Sequence, residues 1–313
     1  MGIPGISLSI QKAVAVNNIV YRGFVYLKGP DVLSLLQGLL TCDIRHIQGS
    51  SKQCLKHCFD RSQESVESHC EPQAKKPSKK SCTWVASSSP RSIDLATPRN
   101  DLYGFLLTPN GRFAFDVFII PFEEGYLLDV YDKDNFIIQL KRYRLNRQVE
   151  IIDYPGYVGW SKEKPDAGIY YPDIRFYGYH ILLENPPSPS SLDEYNYERI
   201  KNGISDPPLD LIPGKGIILE HRLPKDAISY DKGCYIGQEF ISRTYYLGVL
   251  RKKVLPYQII KGIVQYGDQL KDDLGQVLSV IKDVCLVRAN EDAFEKEDVE
   301  TLNGAFLKKI DLR

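Results

Sequence analysis

Long apolar runs, an excess of basic residues and Cys-x-x-Cys pairs are all missing from this sequence of 313 residues. The apolar stretches at 32–40 and 114–120 are far shorter than the ~18–20 residues that a membrane-spanning helix needs. Lys and Arg together number 40, as do Asp and Glu, so the formal net charge is zero. We therefore expect no membrane span and no nucleic-acid partner, since proteins that bind nucleic acid by neutralising phosphates usually carry a basic excess.

The seven cysteines do not follow the pattern of a secreted, disulfide-bonded protein. A disulfide framework distributes its cysteines through the folded part of a chain. Here four of them lie together in one polar, serine-rich segment: Cys54, Cys58, Cys70 and Cys82. We therefore expect a reducing compartment.

The order of strand and helix signals predicts an α+β fold. Strands are predicted at 20–27, 103–107, 112–120 and 126–131, and residues 108–111 (Thr-Pro-Asn-Gly) predict a hairpin turn. Helical spacing of apolar residues predicts helices after Pro30 and over 133–145. From Arg251 onwards, short strands divided by glycines predict a small β-rich unit. We expect an N-terminal segment (1–18), a body (19–250) and a C-terminal domain (251–313).

Residues 48–100 do not fit this pattern. They are polar, contain two Lys-Lys pairs and have almost no periodic apolar signal. We interpret them as a disordered insertion between the first helix and the first hairpin. A zinc site is the alternative, although the spacings match no common zinc motif. Its ligands would come from Cys54, His57, Cys58, His69, Cys70 and Cys82.

The stretch that is richest in chemistry is Lys-Gly-Cys-Tyr-Ile-Gly-Gln-Glu at 232–239. Glycines on both sides of Cys234 permit a tight turn that exposes the thiol, and the nearby ammonium of Lys232 favours the thiolate. Gln238 and Glu239 add an amide and a carboxylate to the same segment. These residues leave two interpretations open, a reactive thiol and a glycine-rich turn that buries a small cysteine.

The segment 232–239 resembles the signature of the YgfZ family, and weaker matches occur in the family's order along the chain. Two positions depart from the pattern: Cys42 stands where the family usually has Asn, and the motif from Asp173 to His180 usually ends in Arg. The insertion at 48–100 is also longer than the family connection. The further matches lie at 29–31, 36–43, 106–116, 197–199, 219–220, 242–252 and 275–277.

The resemblance implies an α+β protein whose body (19–250) is similar to the aminomethyltransferase of glycine cleavage and binds tetrahydrofolate in a central channel. It implies a role in the maturation of [4Fe–4S] proteins in the mitochondrial matrix. The expected partners are A-type iron–sulfur carrier proteins and client [4Fe–4S] enzymes. A transit peptide is expected as well, although the first 18 residues have one Lys and no Arg, which is unlike such peptides.

By resemblance, Glu220 is expected at the edge of the pterin and Asp116 at the position of the acid that acts on the folate nitrogen. Strand alternation places Asp116 with Ala114 and Phe118, opposite Phe113, Phe115 and Val117. An acid among apolar side chains needs a reason, so we expect Asp116 to be functional rather than a charge on an exposed strand face.

The folate is also expected to contact residues around the signature. Arg243 suits its carboxylate tail, because a guanidinium matches a carboxylate. The alternative for Arg243 is a surface arginine on a strand. Lys232, Gln238 and Glu239 complete the expected folate-binding set.

Cys234 could hold an iron or cluster transiently, resolve a disulfide with a partner, or attack a one-carbon adduct as the thiolate. One cysteine cannot hold a [4Fe–4S] cluster, which takes four thiolates, so we expect no stably bound cluster. Two other functions stay open, a folate-dependent aminomethyltransferase of glycine cleavage and a non-catalytic scaffold. The cysteine signature argues against the first, and intact Asp116 and Glu220 argue weakly against the second. Whether the protein is an enzyme, as a folate-dependent transferase would be, is left open by the sequence.

Overall fold

The computed structural model describes residues 16–47, 101–166, 168–185, 192–248 and 250–312. The predicted insertion at 48–100, with its zinc alternative, lies outside the described residues, as do residues 1–15 of the N-terminal segment. Within these ranges the chain forms four α-helices and three antiparallel sheets, which confirms the α+β class. None of these helices is both long and apolar enough to cross a membrane.

The predicted hairpin and the predicted helix over 133–145 are both present, with ends that differ by a residue or two. The helices are α1 (Val32–Leu39), α2 (Lys133–Arg144), α3 (Asp193–Lys201) and α4 (Gln238–Leu247). The strands are β1 (Asn17–Asn18), β2 (Arg22–Lys28), β3 (Leu102–Leu107), β4 (Phe113–Phe122), β5 (Gly125–Tyr131), β6 (Glu150–Tyr154), β7 (Tyr157–Ser161), β8 (Tyr170–Pro172), β9 (Tyr179–Leu183), β10 (Lys252–Lys261), β11 (Gly275–Ile281), β12 (Val284–Asn290), β13 (Asp298–Glu300) and β14 (Phe306–Lys309).

The sheet with strand order β3-β4-β5-β2-β6 is buried on both faces. One face packs against α1 and α2 through an aliphatic cluster that includes Leu36 and Leu140. The other face belongs to an aromatic cluster that includes Phe24, Phe118 and Trp160, the last from β7. Burial on both faces explains why these strands are almost continuously apolar, and it places any charged residue of the second face inside the protein.

Strand β4 departs from simple alternation at its start. The β3–β4 register shifts between Leu106 and Leu107, as a β-bulge does. Phe113 therefore lies in the same aromatic cluster as Phe118, while Ala114 packs against the aliphatic cluster on the opposite face. The predicted faces of Phe113 and Ala114 are wrong for this reason, whereas Asp116 and Phe118 lie on the predicted face.

The other two sheets have strand orders β1-β7-β9-β8 and β11-β12-β10-β14-β13. The second contains the short strands predicted after Arg251, although the division into domains at residue 250 stays a prediction. The alternative for Arg243, a surface arginine on a strand, is wrong about the strand, because Arg243 is exposed on helix α4. The helix is bounded by Gly237 (φ 79°) and Gly248 (φ 69°), both in the left-handed conformation that glycine adopts without strain.

Two glycines make a test of the packing around α1. An added Cβ at Gly104 in β3 would lie 2.5 Å from Sγ of buried Cys42, whereas one at Gly38 in α1 would have no described atom within 4 Å. We expect Gly104→Ala to lower the free energy of unfolding by about 1–3 kcal/mol through overpacking. Gly38→Ala should raise it by about 0.5–1 kcal/mol, because alanine is the better helix former. Urea unfolding followed by circular dichroism measures both, and an undiminished stability of Gly104→Ala would contradict the packing.

Candidate functional site

Seven charged or titratable side chains lie buried among the aromatic cluster and form what we call the charge network. Each is at most 6 % exposed. Burying a charge is costly unless it is paired, so every member is expected to have a partner of opposite sign. The members are Arg22, Asp116, Asp129, Asp173, Arg175, His180 and Asp206.

Two arginines join the acids of the network. Arg22 donates from Nη1 to Oδ2 of Asp116 at 2.7 Å and from Nε to Oδ1 of Asp129 at 2.6 Å, so it connects β2 with β4 and β5. Arg175 donates from Nε and Nη2 to the two oxygens of Asp173 at 2.9 and 2.7 Å. Its Nη1 lies 2.8 Å from Oδ1 of Asp206 and 4.0 Å from Oδ2 of Asp116. The two arginines thereby link all four carboxyl groups of the network.

His180 occupies the place between two of these carboxylates. Its Nδ1 lies 2.7 Å from Oδ2 of Asp129 and its Nε2 lies 3.0 Å from Oδ2 of Asp173. A carboxylate oxygen can only accept, so both ring nitrogens donate and the ring is an imidazolium. Burial alone would lower the pKa of His180, but the two carboxylates outweigh burial and raise that pKa above its ordinary value of 6.5. His180 thus supplies a cation where the resembled motif usually has Arg.

Asp116 differs from the other acids of the network. Its Oδ2 accepts from Arg22 and, at 3.2 Å, from the hydroxyl of Tyr103, whereas its buried Oδ1 has no hydrogen-bond partner among the described residues. Burial raises the pKa of Asp116, while in Asp129 the charge of Arg22 and a hydrogen bond from His180 outweigh burial and lower the pKa to about 2. A buried carboxyl group with a raised pKa and an unused oxygen is suited to bind or exchange a proton with a ligand.

A cavity of about 330 Å³ lies next to Tyr103. Tyr103 is part of its wall and also donates to Asp116, so the charge network is one hydrogen bond away from the cavity. The volume lies at the lower end of the range for small-molecule sites. Exposed polar side chains (His46, Lys225 and Asp226) lie at its rim, and the remaining lining residues are Asp101, Leu102, Tyr103, Ile174, Pro224 and Ala227.

The other predicted folate-binding residues lie away from this cavity's lining. Both carboxylate oxygens of Glu220 accept from Arg288 of β12, at 2.6 and 2.9 Å. Glu239 and Arg243 form an exposed ion pair within α4, at 2.6 Å. The proposed contact between Glu220 and a pterin therefore stays a prediction, and the structure gives this carboxylate a second role in holding the C-terminal sheet.

The signature segment exposes its cysteine and buries its lysine. Cys234 carries an exposed free thiol. Nζ of Lys232 donates to the carbonyls of Leu40 and Cys42 at 2.5 and 2.6 Å, and burial lowers the pKa of Lys232 to about 8. Gln238 accepts from the backbone N–H of Tyr235 at 3.3 Å. Lys232 and Cys234 thus lie on one loop, and Gln238 begins helix α4 directly after it. Among the described residues, the side-chain hydrogen bonds of Asp116 go to Arg22 and Tyr103 and not to this loop.

Sequence reasoning did not identify Arg22, Asp129 or Asp206 as parts of a site. Arg22 and Asp129 carried a usable signal, since each is a charged residue in a strand of apolar neighbours. The sequence gives no such signal for Asp206, because this residue lies in a loop and contacts Arg175 only through the tertiary fold.

The chain is similar in sequence to mitochondrial iron–sulfur cluster assembly factors. No protein-family model matches the chain. The iron–sulfur cluster assembly factor IBA57 homolog, mitochondrial, of Mycosarcoma maydis is 25 % identical over 265 residues, which cover 76 % of this chain and 55 % of that protein. The human IBA57 is 27 % identical over 197 residues, 53 % of this chain and 55 % of that protein. The Coccidioides immitis homolog is 31 % identical over 212 residues, 52 % and 48 % of the two chains. The chain thus spans about half the length of these curated relatives.

A solved structure extends the comparison to the fold. The glycine cleavage system aminomethyltransferase T of Bartonella henselae superposes with a TM-score of 0.59 over 94 % of this chain and 84 % of that one. The sequence identity is 10 %, so the likeness concerns the fold alone. It confirms the aminomethyltransferase-like architecture that the sequence predicts.

The imidazolium state of His180 has a measurable consequence. We expect His180→Gln to lower the free energy of unfolding by about 3–5 kcal/mol near pH 6, because two buried carboxylates lose their shared cation. The raised pKa means that the stabilising contribution of His180 is complete below 6.5 and is lost as the pH rises through the pKa of the folded state. Wild type should therefore lose stability above that value.

The matched variant is His180→Arg, which keeps a cation whose charge does not change with pH. Urea unfolding from about pH 6 to about pH 9 should show wild type falling relative to His180→Arg as the pH rises. A difference between the two proteins that stays constant over this range would rule out the imidazolium.

Proposed function

We propose that the chain, which is similar to the mitochondrial IBA57 factors and carries a segment like the YgfZ signature, supports the maturation of [4Fe–4S] proteins in the mitochondrial matrix and binds tetrahydrofolate. The relatives are named mitochondrial, in agreement with the expected location. The observation that carries the proposal is the exposed thiol of Cys234 within the family signature. Its partners are proposed to be A-type iron–sulfur carriers and client [4Fe–4S] enzymes.

The exposure of Cys234 supports a role toward a protein partner. A [4Fe–4S] cluster takes four thiolates, and among the described residues no group of three or more His, Cys, Asp or Glu could hold a metal ion. Cys234 would thus contribute one ligand to a cluster whose other ligands come from the partner. Attack on a folate adduct at Asp116 is less well supported, since Asp116 is fully buried and Cys234 lies at the surface.

The end of helix α4 supports the same direction of approach. Tyr245, Tyr246 and Leu247 are 53, 70 and 69 % exposed, on the helix that begins four residues after Cys234. Tyr245 stacks on Tyr230 with ring centroids 3.8 Å apart, which fixes its orientation. Exposed aromatic residues are frequent among the residues that dominate protein–protein affinity, so we propose this end of α4 as part of the partner surface.

The cavity beside Tyr103 is the proposed place of the folate. Its wall combines the ring of Tyr103 with the apolar side chains of Leu102 and Ile174, which suit the faces of a flat heterocycle. Asp116 is not among the lining residues and is connected to this wall through the hydroxyl of Tyr103. When bound, tetrahydrofolate would supply a carrier for one-carbon units, and Lys225 at the rim would face its anionic tail.

Tetrahydrofolate titration of the purified protein tests this placement. We expect binding in the micromolar range under anaerobic, reducing conditions, and about tenfold weaker binding by Lys225→Glu because the new charge repels the folate carboxylates. The control is Lys215→Glu, which changes an exposed lysine outside the cavity lining. Equal affinities of the two variants would remove the cavity from the proposal.

The same titration tests the predicted pterin contact of Glu220. That contact requires Glu220→Ala to weaken binding while Arg288→Ala leaves it unchanged. Equal affinities in both variants would assign Glu220 to its ion pair with Arg288 alone.

The function of the thiol is tested by rescue of a strain that lacks its own YgfZ-type protein. We expect Cys234→Ser to abolish rescue, because a hydroxyl is a poor ligand for iron and a poor nucleophile compared with a thiolate. Cys285→Ala is the control, since burial raises the pKa of this thiol to about 12 and keeps it unreactive. Full rescue by Cys234→Ser would defeat the proposal.

A further inference from the structure

The side chain of Lys232 points into the protein. The residue is 8 % exposed, and its ammonium lies within hydrogen-bond distance of two backbone carbonyls, Leu40 at 2.5 Å and Cys42 at 2.6 Å. Both carbonyls belong to the short connection that follows α1. The charge is therefore solvated by fixed backbone dipoles inside the protein.

The chain before the signature is bound to the same connection. The backbone N–H of Ser229 donates to the carbonyl of Thr41 at 2.9 Å, and the hydroxyl of Thr41 donates to the carbonyl of Ala227 at 2.6 Å. Together with Lys232, these bonds attach residues 227–232 to three consecutive residues, 40–42. The side of the loop that leads into Cys234 is thus fixed at several points.

The side that leaves Cys234 is fixed by packing. Tyr235 is 7 % exposed, and its ring centroid lies 5.2 Å from Nζ of Lys232. Gly237 approaches the hairpin turn so closely that an added Cβ would lie 2.7 Å from the carbonyl oxygen of Thr108. Cys234 is thereby exposed between Lys232 and Tyr235, which are both anchored, while an added Cβ at Gly233 would have no described atom within 4 Å.

We propose that Lys232 is a positioning residue, which holds the Cys234 loop in place through its two carbonyl hydrogen bonds. It does not act as the cation that activates the thiol. This inference rests on the proposed function of Cys234 and adds to it the reason for a lysine in the signature. A loop held in one conformation presents the thiol to a partner without an ordering cost at the moment of binding.

The variant Lys232→Met removes the ammonium and keeps most of the stem, and Lys215→Met is the control at an exposed lysine elsewhere. We expect Lys232→Met to raise hydrogen exchange of residues 227–237 by about tenfold or more and to lose rescue. The pH midpoint for alkylation of Cys234 by iodoacetamide, followed by mass spectrometry of its peptide, should stay where wild type has it.

Three results would overturn the proposal. A rise of about one pH unit or more in the alkylation midpoint would show that the charge of Lys232 acts on the thiol. Unchanged hydrogen exchange of the loop would show that the two hydrogen bonds do not hold it. Full rescue by Lys232→Met, where Cys234→Ser fails, would show that positioning is not needed.

A second variant keeps the test valid if Lys232→Met does not fold. Thr41→Val removes the hydroxyl that binds Ala227 and leaves Lys232 intact. We again expect faster hydrogen exchange of residues 227–237, reduced rescue and an unchanged alkylation midpoint. Unchanged hydrogen exchange would show that these hydrogen bonds do not hold the loop. If Cys234→Ser rescues fully, the proposed function fails, and the exchange and alkylation measurements still decide the role of Lys232.

Discussion

The ion pairs of Arg22 with Asp116 and Asp129 join three strands of a sheet whose two faces are both covered. Charges at such a place lose their hydration, and well-packed apolar residues of similar volume are often at least as stabilising. The ion pairs instead fix the orientation of the buried carboxyl groups. Arg22 occupies one oxygen of Asp116 and leaves the other unused, and His180 and Arg175 fix the remaining carboxylates around it. The surroundings of the unused oxygen of Asp116 therefore depend on the whole network.

Local rules predict much of this molecule. The apolar runs that became β2 to β5, the turn at 108–111 and the helix α2 all follow from short stretches of sequence. The glycines around Cys234 left its exposure open, and the structure shows the thiol exposed. The resemblance of residues 232–239 to the YgfZ signature also led to the correct fold, and that signature is itself a short stretch of sequence. These features share one property: the physical causes lie within about ten residues of each other.

The features that were not predicted depend on contacts between distant residues. The bulge at Leu106 and Leu107 exchanges the faces of Phe113 and Ala114, and alternation alone cannot signal it. Helix α4 contains Thr, Tyr and Phe, which favour strands, and the glycines at its two ends are visible as boundaries only once the helix is known. Lys232 reaches Leu40 across 192 positions of sequence, so its role as an anchor is invisible beside its closeness to Cys234.

The segment 227–232 lies between the cavity beside Tyr103 and the loop that carries Cys234. Ala227 lines the cavity beside Tyr103, and the carbonyl of the same residue accepts from Thr41, next to the two carbonyls that bind Lys232. A ligand that presses on Ala227 would therefore act on the connection that anchors the Cys234 loop. Close-packed interiors transmit small displacements, and only Thr41 and Lys232, with their hydrogen bonds and the chain between them, separate the cavity wall from the Cys234 loop. The proposed cavity site and the proposed thiol site thus share one anchored segment, which is a physical reason for both to occur in one fold.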